Sequence, residues 1–165
     1  MLIDLKYFTG EILVAQRSQT EVQEDLARLI AKYEPKVLTD LFGKAMYAEF
    51  SAGIVADPVE AKWANLKNGV TGEWMGLANN GKLSLIANYV YCKYLRKENT
   101  QNVGIGTVIP KGENAQKIAP IDTYVRAWNE MVDWICELHT YILDHASDYP
   151  DYQYLNRRDL CSSNS

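Results

Sequence analysis

The chain has 165 residues, of which 47% are hydrophobic and 23% are charged, and its net charge is −4. This length and composition are those of an ordinary globular protein and predict one domain over residues 1–165. A membrane-spanning segment is excluded, because no apolar run approaches the roughly 18 residues that one needs. The acidic balance also argues against general binding of nucleic acid, which usually requires a basic surface.

The first half of the chain predicts two amphipathic helices separated by a short break. Ser18 and Glu21 form a capping-box pattern, which predicts that a helix begins at Ser18 and runs to about Tyr33. Pro35 should end this helix, because proline disfavours helical geometry in the residue before it. Proline also suits the first turn of the next helix, which we expect to run to about Phe50. Residues 1–17 are predicted to be irregular or to form a short edge strand in GEILVA.

A short third helix and a central fourth helix are predicted next. The start signal of the third helix is Asp57-Pro58, and Gly69 should end it. In the loop that follows, we expect Trp74 and Leu77 to plug the chain onto the body. Ser84 should cap the fourth helix, which runs to about residue 98 and has large apolar side chains on two sides.

The fifth predicted helix is the longest, from about Pro120 to Ala146. Its apolar side chains fall on two adjacent stripes of helical spacing. The first stripe contains Val125, Trp128, Val132, Ile135 and Ile142, and the second contains Tyr124, Met131, Trp134, Leu138 and Tyr141. So wide an apolar surface needs several packing partners, within the domain or outside it. The sequence therefore predicts an all-α fold of about five helices in a compact bundle.

A long connection, about residues 99–118, separates the last two long helices. Structureless loops of this length are uncommon within compact domains and are usually functional or disordered. The alternation in NVGIGTVIP favours a long loop or β-hairpin arm, which would need a partner surface, since an isolated hairpin is marginal in water. The candidate contacts to a neighbouring subunit in this arm are Val103, Ile105, Val108, Ile109 and Lys111.

The chain contains eleven Tyr and four Trp against three Phe. Tyr and Trp combine a large apolar body with one polar group and are enriched at interfaces. The alternative is that single aromatic residues serve as bulk in a helical core. In the C-terminal tail, about residues 147–165, we take Tyr149, Tyr152 and Tyr154 as further candidate contacts to subunits or partners.

No catalytic, metal-binding or cofactor-binding pattern is present in the sequence. His139 and His145 lie six residues apart, which places them on different sides of a helix, unlike a metal-binding pair spaced by four. The three cysteines form no CxxC and no cluster with the histidines. GIGTVIPKG contains a GxG, but no helix begins within it and a third glycine is misplaced for a dinucleotide fingerprint. We therefore predict no enzymatic activity and no cofactor.

Four stretches of this chain resemble a known family: YEPKVLTDLFGKAMYAEF, WANLKNG, LSLIANYVYCKYLRKENTQNVGIGTV and VRAWNEMVDW. They resemble the small helical head–tail connector (neck, or adaptor ring) proteins of tailed bacteriophages, including the crAss-like phages of Bacteroides-type hosts. The resemblance covers roughly residues 20–145 and rests on the order of features and on local phrases. It includes no catalytic signature.

The resemblance implies a virion subunit that is made in the host cytoplasm and forms a homo-oligomeric ring, typically twelvefold, beneath the portal. The loop between the last two long helices and the terminal arms would bridge neighbouring subunits, the portal protein and adjacent neck or tail proteins. DNA would pass through the lumen without sequence-specific binding. The alternative, from another functional class, is a helical module that binds a peptide or small molecule on the aromatic face of the last helix.

Overall fold

The computed structural model describes residues 1–15, 18–99 and 120–152. These residues form four α-helices, α1 (Thr20–Gly53), α2 (Ala61–Asn68), α3 (Leu85–Asn99) and α4 (Pro120–Asp144), preceded by two 3-10 turns at Leu5–Tyr7 and Gly10–Ile12. The prediction of an all-α fold is confirmed. Of the two alternatives predicted for residues 1–17, the edge strand in GEILVA is wrong, because residues 10–12 of that stretch form the second turn.

α1 spans 34 residues in two helical segments that meet at Gly43, where the sequence predicted two helices that meet at Pro35. Pro35 lies inside the first segment, so the predicted break at this residue is wrong. A proline in a helix leaves the carbonyl four residues earlier without its amide partner. That carbonyl belongs to Ala31, and both Ala31 and Pro35 lie on the exposed side of α1, where water can take the place of the missing donor.

The bend in α1 occurs at Gly43 instead. This residue has φ 77° and ψ 167°, which is outside helical geometry and in a region that a side chain would disfavour. The bend divides α1 into two segments that both contribute to the core. Leu38 and Phe42 are buried before it, and Met46 and Phe50 are buried after it.

Of the helix starts predicted at Ser18, Asp57-Pro58 and Ser84, the structure shows only the one at Ser84. Gln19, rather than Ser18, precedes the first residue of α1, and it makes no side-chain capping bond. α2 begins at Ala61, three residues after Pro58. The cap at Ser84 is confirmed, since its hydroxyl accepts the amide of Ile86 at 3.2 Å and donates to the carbonyl of Leu77 at 2.6 Å.

α3 packs between α1 and α4, as its two apolar sides predicted. Ile86 and Val90 are fully buried. Asn88, also buried, donates to the Ala127 carbonyl of α4 at 3.2 Å and fastens the two helices together. Trp74 holds the loop before α3 against the helices, as predicted. Its indole donates to the carbonyl of Leu66 at 3.0 Å.

The N-terminal segment is held against α1 by a buried carboxylate. Glu34 accepts the amide of Leu2 at 2.8 Å and the amide of Ile3 at 3.1 Å. Its side chain is almost inaccessible to water, and Ile3 is buried beside it. Hydrogen bonds to a charged acceptor are stronger than neutral ones. Glu34 therefore holds the backbone of Leu2 and Ile3 against α1.

We expect Glu34→Ala to lower the free energy of unfolding by about 2 kcal/mol, because it leaves buried amides without an acceptor. The matched control is Glu24→Ala, an exposed glutamate on the same helix, whose replacement should change stability by less than about 0.5 kcal/mol. Urea unfolding followed by circular dichroism measures both. Equal stabilities of the two variants would contradict the role of Glu34.

Candidate interaction surfaces

Tyr149, a predicted contact to a partner, lies in the core of this structure. Its ring packs between Trp63 and Tyr141, at centroid distances of 5.8 and 6.3 Å. Its hydroxyl donates to the carbonyl of Lys62 at 2.8 Å, and burial raises its pKa. Tyr149 thus anchors the segment after α4 to α2 and has almost no surface to offer a partner.

Tyr152 is half-buried, and its hydroxyl lies 3.1 Å from Nδ1 of His139. Burial lowers the pKa of that histidine, which favours its neutral form. His145 is engaged elsewhere, with Nδ1 at 2.9 Å from the Tyr141 carbonyl and Nε2 at 3.7 Å from Glu73. The other predicted contacts lie outside the described residues and stay predictions: Val103, Ile105, Val108, Ile109, Lys111 and Tyr154.

The two apolar stripes predicted on the last helix have different environments. From the second stripe, Met131, Leu138 and Tyr141 are buried against the body. The first stripe is largely open to solvent along the first half of α4. We define the α4 stripe as the exposed Ile121, Val125 and Trp128 with the half-buried Val132 and Ile135.

The α4 stripe has the spacing of a helix that packs on another helix. Its members are separated alternately by four and three residues, the pattern of knobs-into-holes packing. Ile121 is 68% exposed, Val125 47% and Trp128 37%. Trp128 also stacks on Tyr124, with ring centroids 6.0 Å apart. Contiguous apolar surface of this kind marks interaction sites in folded proteins.

A second surface, the basic face, brings together cations from two helices. It consists of Arg28, Lys32 and Lys36 on α1 and Lys93, Arg96 and Lys97 on α3. Lys97 and Arg28 both pair with Asp25, and the hydrogen bond from Lys97 holds the pKa of Asp25 below its ordinary value. These contacts show that the two rows of cations are neighbours in space.

The centre of the basic face is built on aromatic rings. The ammonium group of Lys93 lies 4.8 Å from the ring centroid of Tyr89 and 5.7 Å from that of Tyr33. The two rings meet edge to face at 5.7 Å. Lys32, which lies on α1 next to Tyr33, has its ammonium group 5.2 Å from the centroid of the Tyr33 ring. Cation–π contacts of this kind stabilise charge without neutralising it.

The sequence only partly predicted this face. The sequence shows a locally basic stretch over residues 93–117, since Lys93, Arg96, Lys97, Lys111 and Lys117 outnumber Glu98 and Glu113. The structure places the first three on α3, which extends to Asn99. The spacing of four residues between Arg28, Lys32 and Lys36 was the signal that could have indicated a basic row on α1.

Two of the clefts among the described residues have a tryptophan in their walls, and neither assembles catalytic groups. An open cleft of about 600 Å³ is lined by residues 68–75 and Glu137. A smaller one of about 250 Å³ lies between the N-terminal segment and α4, with Tyr7, Asn88 and Trp134 in its wall. The side-chain amide of Asn88 in this cleft donates to Glu130 at 2.8 Å, so these two polar groups already bind each other.

Within residues 1–15, 18–99 and 120–152, no group of His, Cys, Asp and Glu side chains is arranged to hold a metal ion. Cys92 is a free thiol in the interior, and burial raises its pKa to about 11, which disfavours the reactive thiolate. None of the helices in the described part of the chain is long and apolar enough to cross a membrane.

Comparison of the chain with protein-family models, with curated proteins and with solved structures yields no match.

Proposed function

We propose that this chain is a structural subunit of the head–tail connector of a tailed bacteriophage. Copies of it would form a ring, typically of twelve subunits, that joins the portal protein to the adjacent neck or tail proteins and surrounds the DNA channel. Its site of action would be the virion neck, after synthesis in the host cytoplasm. The chain would contribute contacts and no catalysis.

The observation that carries this proposal is the α4 stripe. A side chain such as Val125 or Ile121 that stays in water forgoes the roughly 25 cal/mol per Å² gained on burial. A single exposed residue would be ordinary, but this stripe continues from Ile121 to Ile135 on one side of one helix. A subunit that is covered by its neighbours accounts for such a surface.

The resemblance described from the sequence supports the same proposal. Most residues of its phrases fall on α1, α2, α3 and α4, and the third phrase continues past the end of α3 into the predicted arm. The predicted arm lies between α3 and α4, directly before the most exposed end of the α4 stripe. An arm and an apolar stripe next to each other suit a subunit that contacts more than one neighbour.

The proposal is tested by replacing residues 102–116 with fifteen Gly and Ser residues, which keeps the spacing between α3 and α4. We expect the variant to keep the helical circular-dichroism spectrum of the wild type and to lose the ring, because the apolar residues of the arm are gone. Light scattering on both proteins, alone and with the portal protein, measures assembly. Unchanged assembly would contradict the role of the arm.

A second candidate function is the binding of a peptide or small molecule on the aromatic side of α4. The cleft of about 250 Å³ favours it, because Trp134 and Tyr7 form its wall. This function predicts a stable monomer or dimer and a change in Trp134 fluorescence on binding, which Trp134→Phe would remove. A closed ring with no such response would reject it.

A further inference from the structure

We infer that successive copies of this chain meet through two different surfaces, the basic face of one copy against the acidic end of the next. The acidic end is the surface around Glu49, Glu60 and Asp151. This inference rests on the proposed ring, and it names the charged contact that orients each subunit on its neighbour.

The basic face carries an excess of positive charge in a chain whose net charge is −4. Residues 26–39 and 85–97, which supply its six cations, contain a single carboxylate, Glu34, and that one is buried. Asp25 and Asp40 pair with cations only at its margins. The salt bridges in the described part of the chain involve neither Lys32 nor Lys93. The centre of this face is therefore open to an anionic partner.

The acidic end carries an excess of negative charge. A hydrogen bond with Asp151 raises the pKa of Glu49, and the charge of Glu60 adds to that effect. The nearby cation is Lys62, which lies 3.7 Å from Glu60 and 4.7 Å from the centroid of the Trp63 ring. Three carboxylates thus share one ammonium group. Crowded carboxylates of this kind are stabilised by a positive surface brought against them.

The two surfaces make separate contacts within one copy. The salt bridges described for the basic face run to Asp25 and Asp40. The charges that act on Glu49 come from the acidic end itself and from Lys62, and no cation of the basic face is among them. Two different, mutually attractive surfaces on one chain form a heterologous contact, which repeats and closes into a ring where the rotation permits.

Two double variants of the full chain test the inference. Lys32→Glu with Lys36→Glu replaces two of the six cations of the basic face by carboxylates, and Glu49→Lys with Glu60→Lys reverses the acidic end. Light scattering should give the monomer mass for each variant alone, because the attraction between the two surfaces is then lost. An equal mixture should recover the wild-type mass, since the new carboxylates of one variant meet the new cations of the other. A control with the same change in charge as the first variant, Lys6→Glu with Lys67→Glu, should keep the wild-type mass.

Wild-type assembly should also weaken as salt is raised, a measurement that needs no variant to fold. If the wild type assembles and its mass is indifferent to salt and to both double variants, this inference fails while the proposed ring stands. Loss of assembly that the mixture does not restore also overturns it. A wild type that stays monomeric with and without the portal protein overturns the inference and the ring together.

Discussion

Gly76→Ala should destabilise the fold by about 4 kcal/mol, a loss in the range that only a few mechanisms produce. Gly76 has φ +93°, and a Cβ there would lie 2.5 Å from the carbonyl carbon of Asn68 and 2.6 Å from the amide of Gly69. Both are backbone atoms at the end of α2 and cannot rotate away. The loop would have to separate from α2. The neighbouring hydrogen bond from the Ala78 amide to the Lys67 carbonyl would then be lost as well.

Gly72 provides the matched control. It lies in the same loop and has φ +84°, but a Cβ there would meet nothing within 4 Å. Gly72→Ala should therefore cost only the backbone strain, about 1 kcal/mol. Urea unfolding followed by tryptophan fluorescence measures both variants. Stabilities within about 0.5 kcal/mol of each other would show that the close contact of this loop with α2 is not what holds it.

Val125→Glu should abolish assembly while leaving the subunit folded. Val125 lies in the middle of the exposed part of the α4 stripe, so a carboxylate there would be buried without a partner in any assembly that covers the stripe. In the free subunit the new side chain stays in water, and we expect stability to change by less than about 1 kcal/mol. Light scattering and portal binding measure the loss, and circular dichroism checks the fold.

The control for this variant is Leu83→Glu. Leu83 is as exposed as Val125, at 50% against 47%, but it lies beside the smaller cleft rather than on the α4 stripe. Its replacement should leave assembly unchanged. Equal loss of assembly in both variants would indicate a general effect of added charge, and no loss in either would show that the α4 stripe is not an interface.

The positions of α3 and α4 were predictable from the spacing of their apolar residues alone. α3 and α4 were expected near their observed bounds, because their apolar residues recur at helical intervals and polar loops flank them. α1 shows the limit of local signals. Pro35 has a strong tendency to end a helix, but it lies where the freed carbonyl faces water. The bend occurs instead at Gly43, whose tendency to break a helix is weaker than that of proline.

Features that depend on contacts distant in sequence were not predictable. Glu34 lies more than thirty positions from the amides it holds, so its role follows from the fold and not from any motif. The basic face joins α1 to cations of α3 about sixty positions away. Tyr149 was taken as a surface contact because it follows the last helix. In the structure, the segment after α4 turns back and buries Tyr149 against Trp63.

The most direct test of the proposed ring is the mass of the purified full-length chain, measured by native mass spectrometry alone and after mixing with the portal protein. We expect one closed oligomer, or a monomer that becomes part of a ring only when the portal protein is added. A monomer or dimer whose mass is indifferent to the portal protein would contradict the connector function and direct attention to the cleft beside Trp134.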